Sequence, residues 1–314
     1  MPNPVVVAEL VRSGFVEGHH HGSVVALGAD GEVDWSVGCV DAPLLPRSCN
    51  KPLQALAMVR HGLDLPHDLL ALACASHSGE PFHLDGVRRI LAAADLAEDL
   101  LQTPPDFPLD DTERDAVLRS GGERTPLQMN CSGKHAAMLV TCARNGWDLH
   151  TYLDPEHPLQ QAIHTTYEEL TGEPAAVAVD GCGAPLLSSS LTGLARAFRR
   201  LAVAQDGPER LVADAIRRHP EFVSGTRRDE RTLLSAIPGA IGKMGAESCF
   251  ALALDDGRSF ALKIDDGAMR AWPVVLAAAL RRSGVDGAAI RSVGRAPLLG
   301  GGREVGEIRG CLPV

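Results

Sequence analysis

The stretch Pro46-Arg47-Ser48-Cys49-Asn50-Lys51-Pro52-Leu53-Gln54 marks the point where the texture of the chain changes. Before it, from Val5 to Val40, β-type segments alternate with turns: Ser23–Leu27, then Gly28-Ala29-Asp30-Gly31, then Glu32–Val37. Asp-Gly between two β-rich runs is a strong hairpin signal. After it, residues 51–250 are mainly helical in pattern. Pro52–Arg60, Leu84–Ala94, Lys134–Asn145, Pro158–Leu170, Leu191–Ala204 and Pro208–Arg218 carry apolar residues at helical spacing. The β texture then returns: Cys249–Leu254 and Arg258–Ile264 flank the turn Asp255-Asp256-Gly257, and a helix follows at Ala271–Ser283. This order predicts an α+β fold in one domain spanning 1–314. One antiparallel sheet would be formed by the terminal segments (about 1–45 and 245–314), with a mainly helical lobe (about 46–244) inserted between them.

Composition narrows the function classes. The chain has 314 residues, 45% of them hydrophobic, and a formal net charge of −10, enough to bury a large core. The acidic balance and the lack of a basic block exclude nucleic acid and anionic membranes as expected partners. No charged n-region precedes a long apolar stretch at the N-terminus, and no apolar run is long enough to span a bilayer, so a cytoplasmic protein is expected. Eight cysteines in a chain of this length do not read as a disulfide scaffold. They are expected to be thiols, some of them ligands or reactive groups. Pro104–Asp111 reads as a surface loop, and Gly300-Gly301-Gly302 as a flexible connection.

Within the opening stretch, Ser48 and Lys51 are three residues apart, so on a helix the lysine amine faces the serine hydroxyl. A lysine desolvated in an apolar pocket can take the proton of a serine and make it a nucleophile, the Ser-x-x-Lys device of acyl-transfer enzymes. The motif is short, and a helix-capping serine followed by a solvated lysine writes the same letters. Four further segments carry unusual polar chemistry: Ala75-Ser76-His77-Ser78-Gly79-Glu80, Asn130-Cys131-Ser132-Gly133-Lys134-His135, Val179-Asp180-Gly181-Cys182-Gly183-Ala184-Pro185 and Lys263-Ile264-Asp265-Asp266-Gly267. The second lacks the first glycine of a phosphate loop and has His135 in place of its Ser/Thr, which excludes nucleotide binding by that motif. Lys263, on the second strand of the C-terminal hairpin, is read as the facing edge-strand lysine that accompanies a Ser-x-x-Lys helix in penicillin-recognising enzymes, where it supplies positive potential beside the nucleophile.

In order along the chain, Arg47-Ser48-Cys49-Asn50-Lys51-Pro52, the Ser76 and Asn130–Ala136 segments, His157-Pro158-Leu159-Gln160, Asp180-Gly181-Cys182-Gly183 and the Lys263 segment resemble the rhizobial-type (class 3, asparaginase II family) L-asparaginases. The resemblance runs from about Glu17 to Arg270. It implies a fold similar to serine β-lactamases and glutaminases, a homodimer, and hydrolysis of L-asparagine to L-aspartate and ammonia through a Ser-Lys activated acyl-enzyme. It further implies Ser48 with Lys51 as one Ser-Lys tandem and Ser76 with Lys263 as a second. Cys131, Lys134 and Cys182 would hold Zn2+, with Asp180, His135, Arg47 and Cys249 around the substrate. Two positions depart from the family pattern: Cys39 follows Gly38 where relatives usually have Asp, and His20-His21 stands where His-Arg is common.

The residues alone leave alternatives open. Cys131 and Cys182 read equally as buried thiols with Lys134 paired to Asp180, since the spacing is not that of a zinc finger and lysine must lose a proton to become a ligand. Glutaminase or broader amidohydrolase activity fits the same motifs, as does an amino-acid- or metal-sensing protein that has kept the pocket without turnover. His77 and His83 read as ordinary polar or core residues.

Overall fold

The computed structural model describes residues 5–312. These divide into two compact units, one of residues 5–49, 189–203 and 232–312, the other of residues 50–188 and 204–231.

The first unit is built on an eight-stranded antiparallel sheet. Its strands are β1 (Val5–Arg12), β2 (Phe15–Leu27), β3 (Val33–Val37), β6 (Ile241–Gly245), β7 (Cys249–Ala253), β8 (Ser259–Ile264), β9 (Ala296–Gly300) and β10 (Arg303–Gly310). They run in the order β6-β7-β8-β2-β1-β10-β9, with β3 also paired to β2. Both Asp-Gly hairpins form where the sequence places them: Gly31 (φ 90°) and Gly257 (φ 94°) take the left-handed turn position that glycine occupies without strain. β2 is long enough, at 13 residues, to pair with β1 along its first half and with β8 and β3 along its second. Three helices complete the unit, α7 (Leu191–Val203), α11 (Trp272–Arg282) and α12 (Ala288–Val293). α7 packs on β2, β7 and β8, and α11 on β1, β8 and β10. The sheet unit therefore includes α7, which the helical periodicity of the sequence groups with residues 46–244.

Two features of this unit differ from the sequence reading. Gly300 ends β9, and Gly301-Gly302 form a tight turn into β10, both at positive φ, rather than a flexible connection. Strand β6 arises from Ile-Gly-Lys-Met-Gly, whose two glycines and lysine have weak intrinsic β preference. Pairing with β7, from Ile241 opposite Ala253 to Gly245 opposite Cys249, makes it a strand.

The second unit contains α1 (Lys51–Arg60), α2 (His67–Ala73), α3 (Pro81–Ala92), α4 (Asp111–Arg119), α5 (Ser132–Asn145), α6 (Pro158–Thr171), α8 (Gly207–Arg218), α9 (Pro220–Val223) and the short pair β4 (Val177–Val179) and β5 (Pro185–Leu187). Helix α10 (Asp229–Ala236) lies where the chain passes from this unit to the other. Prolines open several of these helices, at Pro52, Pro81 and Pro158, where the missing N–H is no loss. α5 and α6 each end on a left-handed glycine, Gly146 and Gly172. α1 packs on α5, α6 and α8, and α2 on α3, α5 and α8. Among the described residues no helix is long and apolar enough to cross a membrane.

Candidate active site

Ser48 sits in a single 3-10 turn, Arg47–Asn50, that runs directly into α1 at Lys51. The turn begins with strain: Arg47 has φ 54°, a left-handed conformation that costs a non-glycine residue on the order of 1 kcal/mol. Such outliers persist only where surrounding contacts hold them, and here the contacts come from strand β6. Cys49 Sγ donates to the Lys243 carbonyl at 3.1 Å. Gly245 approaches so closely that a Cβ would lie 2.4 Å from the Pro46 carbonyl oxygen. The edge strand of the sheet is thus pressed along the segment that presents Ser48.

This arrangement corrects one expectation. Lys263 is not on an edge strand: β8 lies between β7 and β2, with Lys263 opposite Cys249 on one side and Ser23 on the other. Its ammonium donates to the main-chain carbonyls of Glu247 (2.6 Å) and Ile264 (2.5 Å). The edge strand beside Ser48 is β6, and its lysine is Lys243, fully buried, with Nζ donating to the Met244 carbonyl at 2.7 Å. The sequence reading missed this residue because it took residues 241–245 as part of the helical region. Gly-Lys between two strand-like apolar residues, one tight turn before Cys249, was the available signal. Cys249 is fully buried. The turn after β8 is fastened from the opposite strand: Arg270 Nε donates to His20 Nε2 (3.2 Å), which leaves His20 Nδ1 to donate to Asp266 (2.7 Å).

In the second unit, Lys51 is buried and its Nζ donates to Ser76 Oγ at 3.0 Å and to the Ala75 carbonyl at 2.5 Å. The sequence pairs each serine with a different lysine; this direct contact between Lys51 and Ser76 is not legible from spacing. Ser76 is fixed through its N–H to the Val223 carbonyl (3.2 Å), and His77 through its N–H to the Asn130 carbonyl (3.0 Å).

The same unit gathers Cys131, Lys134, His135, Asp180 and Cys182. The start of α5 supplies the first three, and the glycine-rich turn after β4 the other two. Lys134 Nζ donates to Cys182 Sγ at 3.2 Å, and the Asp180 carboxylate lies 3.9 Å from that sulfur. The hydrogen bond from Cys131, followed by the Lys134 charge and the His135 ring, holds Cys182 far below the ordinary thiol range, as a thiolate. The same hydrogen bond, with burial, pushes Cys131 up, so it keeps its proton. Burial works against the Lys134 ammonium, but Cys182, Cys131 and Asp180 together overcome it and raise its pKa. His135 is held neutral chiefly by burial. Its Nδ1 meets Tyr152 Oη at 2.8 Å, while Nε2 is buried without a hydrogen-bond partner of good geometry among the described residues.

Two thiols, an amine and a buried imidazole nitrogen are soft and borderline donors of the kind zinc prefers. Among the described residues no group of three or more His, Cys, Asp and Glu side chains is arranged to hold a metal, so a metal here requires Lys134 as a donor. None of the eight cysteines is in a disulfide.

Among solved structures, Mglu in its native form aligns at TM-score 0.44 and 14% identity, covering 84% of this chain and 64% of its own. EstCE1, a hydrolase with promiscuous acyltransferase activity, aligns at 0.41 and 13%, covering 87% and 93%. Simvastatin synthase (LovD) from Aspergillus terreus, in a mutant form, aligns at 0.37 and 12%, covering 83% and 93%. This chain thus spans less than two thirds of the length of Mglu. No curated protein matches. The profile of the L-asparaginase II family matches residues 8–310, nearly the whole chain, and the chain belongs to that family.

Proposed function

We propose that this protein is an L-asparagine amidohydrolase that works through a serine acyl-enzyme. The observation that carries the reading is a strained turn placing Ser48 three residues before a buried, hydrogen-bonded lysine, in a chain whose family is that of L-asparaginase II. Ser48 Oγ attacks the side-chain carboxamide carbon while its proton passes to Lys51. The tetrahedral intermediate collapses, the proton goes to the departing nitrogen, and ammonia leaves. Water then attacks the ester carbon as its proton passes to Lys51, and Ser48 Oγ leaves, recovers that proton from Lys51, and L-aspartate is released. Ser76, hydrogen-bonded to Lys51, provides the hydroxyl through which the lysine can receive and return protons. Lys243 supplies positive potential beside the nucleophilic turn, the role first assigned to Lys263, and stabilises the developing oxyanion.

The cluster around Cys182 fits Zn2+. Cys131, Cys182 and Lys134 would hold it, and Nε2 of His135, buried with no hydrogen bond of good geometry among the described residues, faces the same cluster. When bound, the metal supplies a Lewis-acidic anchor for a polar group of the substrate. Asp180, beside this cluster, supplies the negative charge that recognises the α-amino group of an amino acid. A homodimer and a cytoplasmic setting belong to this proposal on the strength of the resemblance.

The test is ammonia release measured side by side from L-asparagine and L-glutamine. Glutamine adds one methylene, which displaces the reacting carbonyl by about 1 Å, enough to cost on the order of a hundredfold in kcat/KM. Comparable values for the two substrates would turn the reading into a general amidohydrolase. Binding of asparagine without ammonia release would turn it into a sensor.

A further inference from the structure

His77 is fully buried beside Ser76, and the mechanism above gives it no task. Its Nε2 lies 2.8 Å from Ser132 Oγ, which itself lies 2.7 Å from the Leu127 carbonyl. A serine hydroxyl has one proton, and the carbonyl can only accept, so that proton goes to Leu127. The contact with His77 therefore runs from ring to serine, which places hydrogen on Nε2 and a lone pair on Nδ1. That lone pair is buried, and no hydrogen-bond partner among the described residues reaches it. An unpaired buried acceptor is destabilising, so an apolar side chain of similar volume would serve packing better. Burial, with His83 and Lys51 adding to it, keeps the ring neutral.

The ring of His77 stacks on His83 at 5.3 Å between centroids, and its hydrogen bonds lead to one place. Its peptide N–H bonds to Asn130 and its ring to Ser132, so residue 77 is fastened twice to the segment that opens α5. On its other side the peptide continues to Ser76, whose hydroxyl and whose neighbour Ala75 accept both observed Lys51 hydrogen bonds. We propose that His77, anchored on Ser132, is a positioning residue that sets the pitch of the Ala75–His77 segment, so that Ser76 Oγ and the Ala75 carbonyl meet Lys51 together. Loss of the ring contact frees that segment to rotate, and the lysine then loses the hydroxyl before it loses anything else.

The inference rests on the amidohydrolase reading for its kinetic consequence and on geometry alone for its structural one. His77→Leu keeps the volume and removes the donor, Ser132→Ala removes the acceptor, and His77→Gln returns an N–H at a similar reach. The expected pattern is a fall in kcat of about 10- to 100-fold for His77→Leu, from misplacement approaching 1 Å, and a smaller fall in the same direction for Ser132→Ala. KM changes little, and His77→Gln recovers most of the loss. A crystal structure of Ser132→Ala should show Lys51 Nζ and Ser76 Oγ beyond about 3.5 Å, outside hydrogen-bond range. The proposal is overturned by a 3.0 Å contact surviving in that structure, by wild-type kcat per folded molecule in His77→Leu, or by His77→Gln as impaired as His77→Leu. A wild type that releases no ammonia from any amide refutes the amidohydrolase reading, while the Lys51–Ser76 distance still decides this one.

Discussion

Gly245→Ala tests whether strand β6 positions the nucleophilic turn. An added Cβ would stand 2.4 Å from the Pro46 carbonyl oxygen and 3.1 Å from Cys49 Sγ, where ordinary contact begins near 3.4 Å. About 1 Å must therefore be gained, the difference between 3.4 and 2.4 Å. Gly245 is the last paired residue of its strand, opposite Cys249, so the ladder resists the shift and the turn yields instead. The Pro46 carbonyl accepts the Cys49 N–H at 3.2 Å, so moving it drags the whole turn, Ser48 included. Displacing a reacting atom by 1 Å costs on the order of a hundredfold in rate, and the overpacking itself about 1–3 kcal/mol of stability. The assay is kcat/KM for ammonia release from L-asparagine, alongside thermal unfolding. Gly242→Ala is the control: on the same strand, its Cβ meets the Ala251 carbonyl at 3.1 Å and the Leu234 side chain at 3.3 Å, neither of them in the turn. Activity of Gly245→Ala within about threefold of wild type, or equal impairment of the two variants, would refute the reasoning.

How far the sequence exposes this site depends on which residues local pattern governs. The Asp-Gly hairpins and the helices that open at Pro52 and Pro158 are local, and each reads correctly from a few neighbouring letters. The α+β character follows from them, because strands at both ends must pair across whatever lies between. Strand β6 is different. Ile-Gly-Lys-Met-Gly has only a weak β preference, carried by its isoleucine, and becomes a strand through its ladder with β7, so its lysine stands out less than Lys263 in the strongly patterned β8. The same holds for Lys51 and Ser76. Their contact depends on the loop after α2 being pinned to Val223 and Asn130, residues that lie far along the chain. Cys131 and Cys182 come together for a similar reason. A turn of α5 meets the turn after β4 without any ligand spacing, and only the family pattern made the pair legible. His77 was passed over because a single buried histidine carries no signal in sequence; the direction of its hydrogen bond gives it meaning.

Three further predictions follow. Lys243→Met should lower kcat by about 10²–10³, the cost of removing one group that stabilises an oxyanion, whereas Lys263→Met, whose ammonium already serves two carbonyls, should lose about tenfold or less; the reverse order would return Lys263 to the role. Cys182→Ser should lose bound zinc by metal analysis and raise KM more than it lowers kcat, and a carefully prepared wild type free of zinc would count against the metal. Finally, acid should weaken the fold through His83, whose pKa burial lowers to about 4 from an ordinary 6.5. Its Nε2 donates to the Glu221 carbonyl and its Nδ1 accepts the Glu80 N–H, so a second proton has no acceptor waiting. Between pH 6.5 and 4 the unfolded chain binds a proton that the folded one refuses, so stability is full above the unfolded value and falls as the pH drops. A shift of this size corresponds to about 3 kcal/mol between pH 7 and pH 4. His77, also lowered by burial, acts with the same sign. Urea unfolding at pH 7 and pH 4.5 should show the loss, and His83→Gln should flatten it even where the variant is less stable at neutral pH. An identical pH slope in wild type and His83→Gln would mean that other groups drive the acid sensitivity.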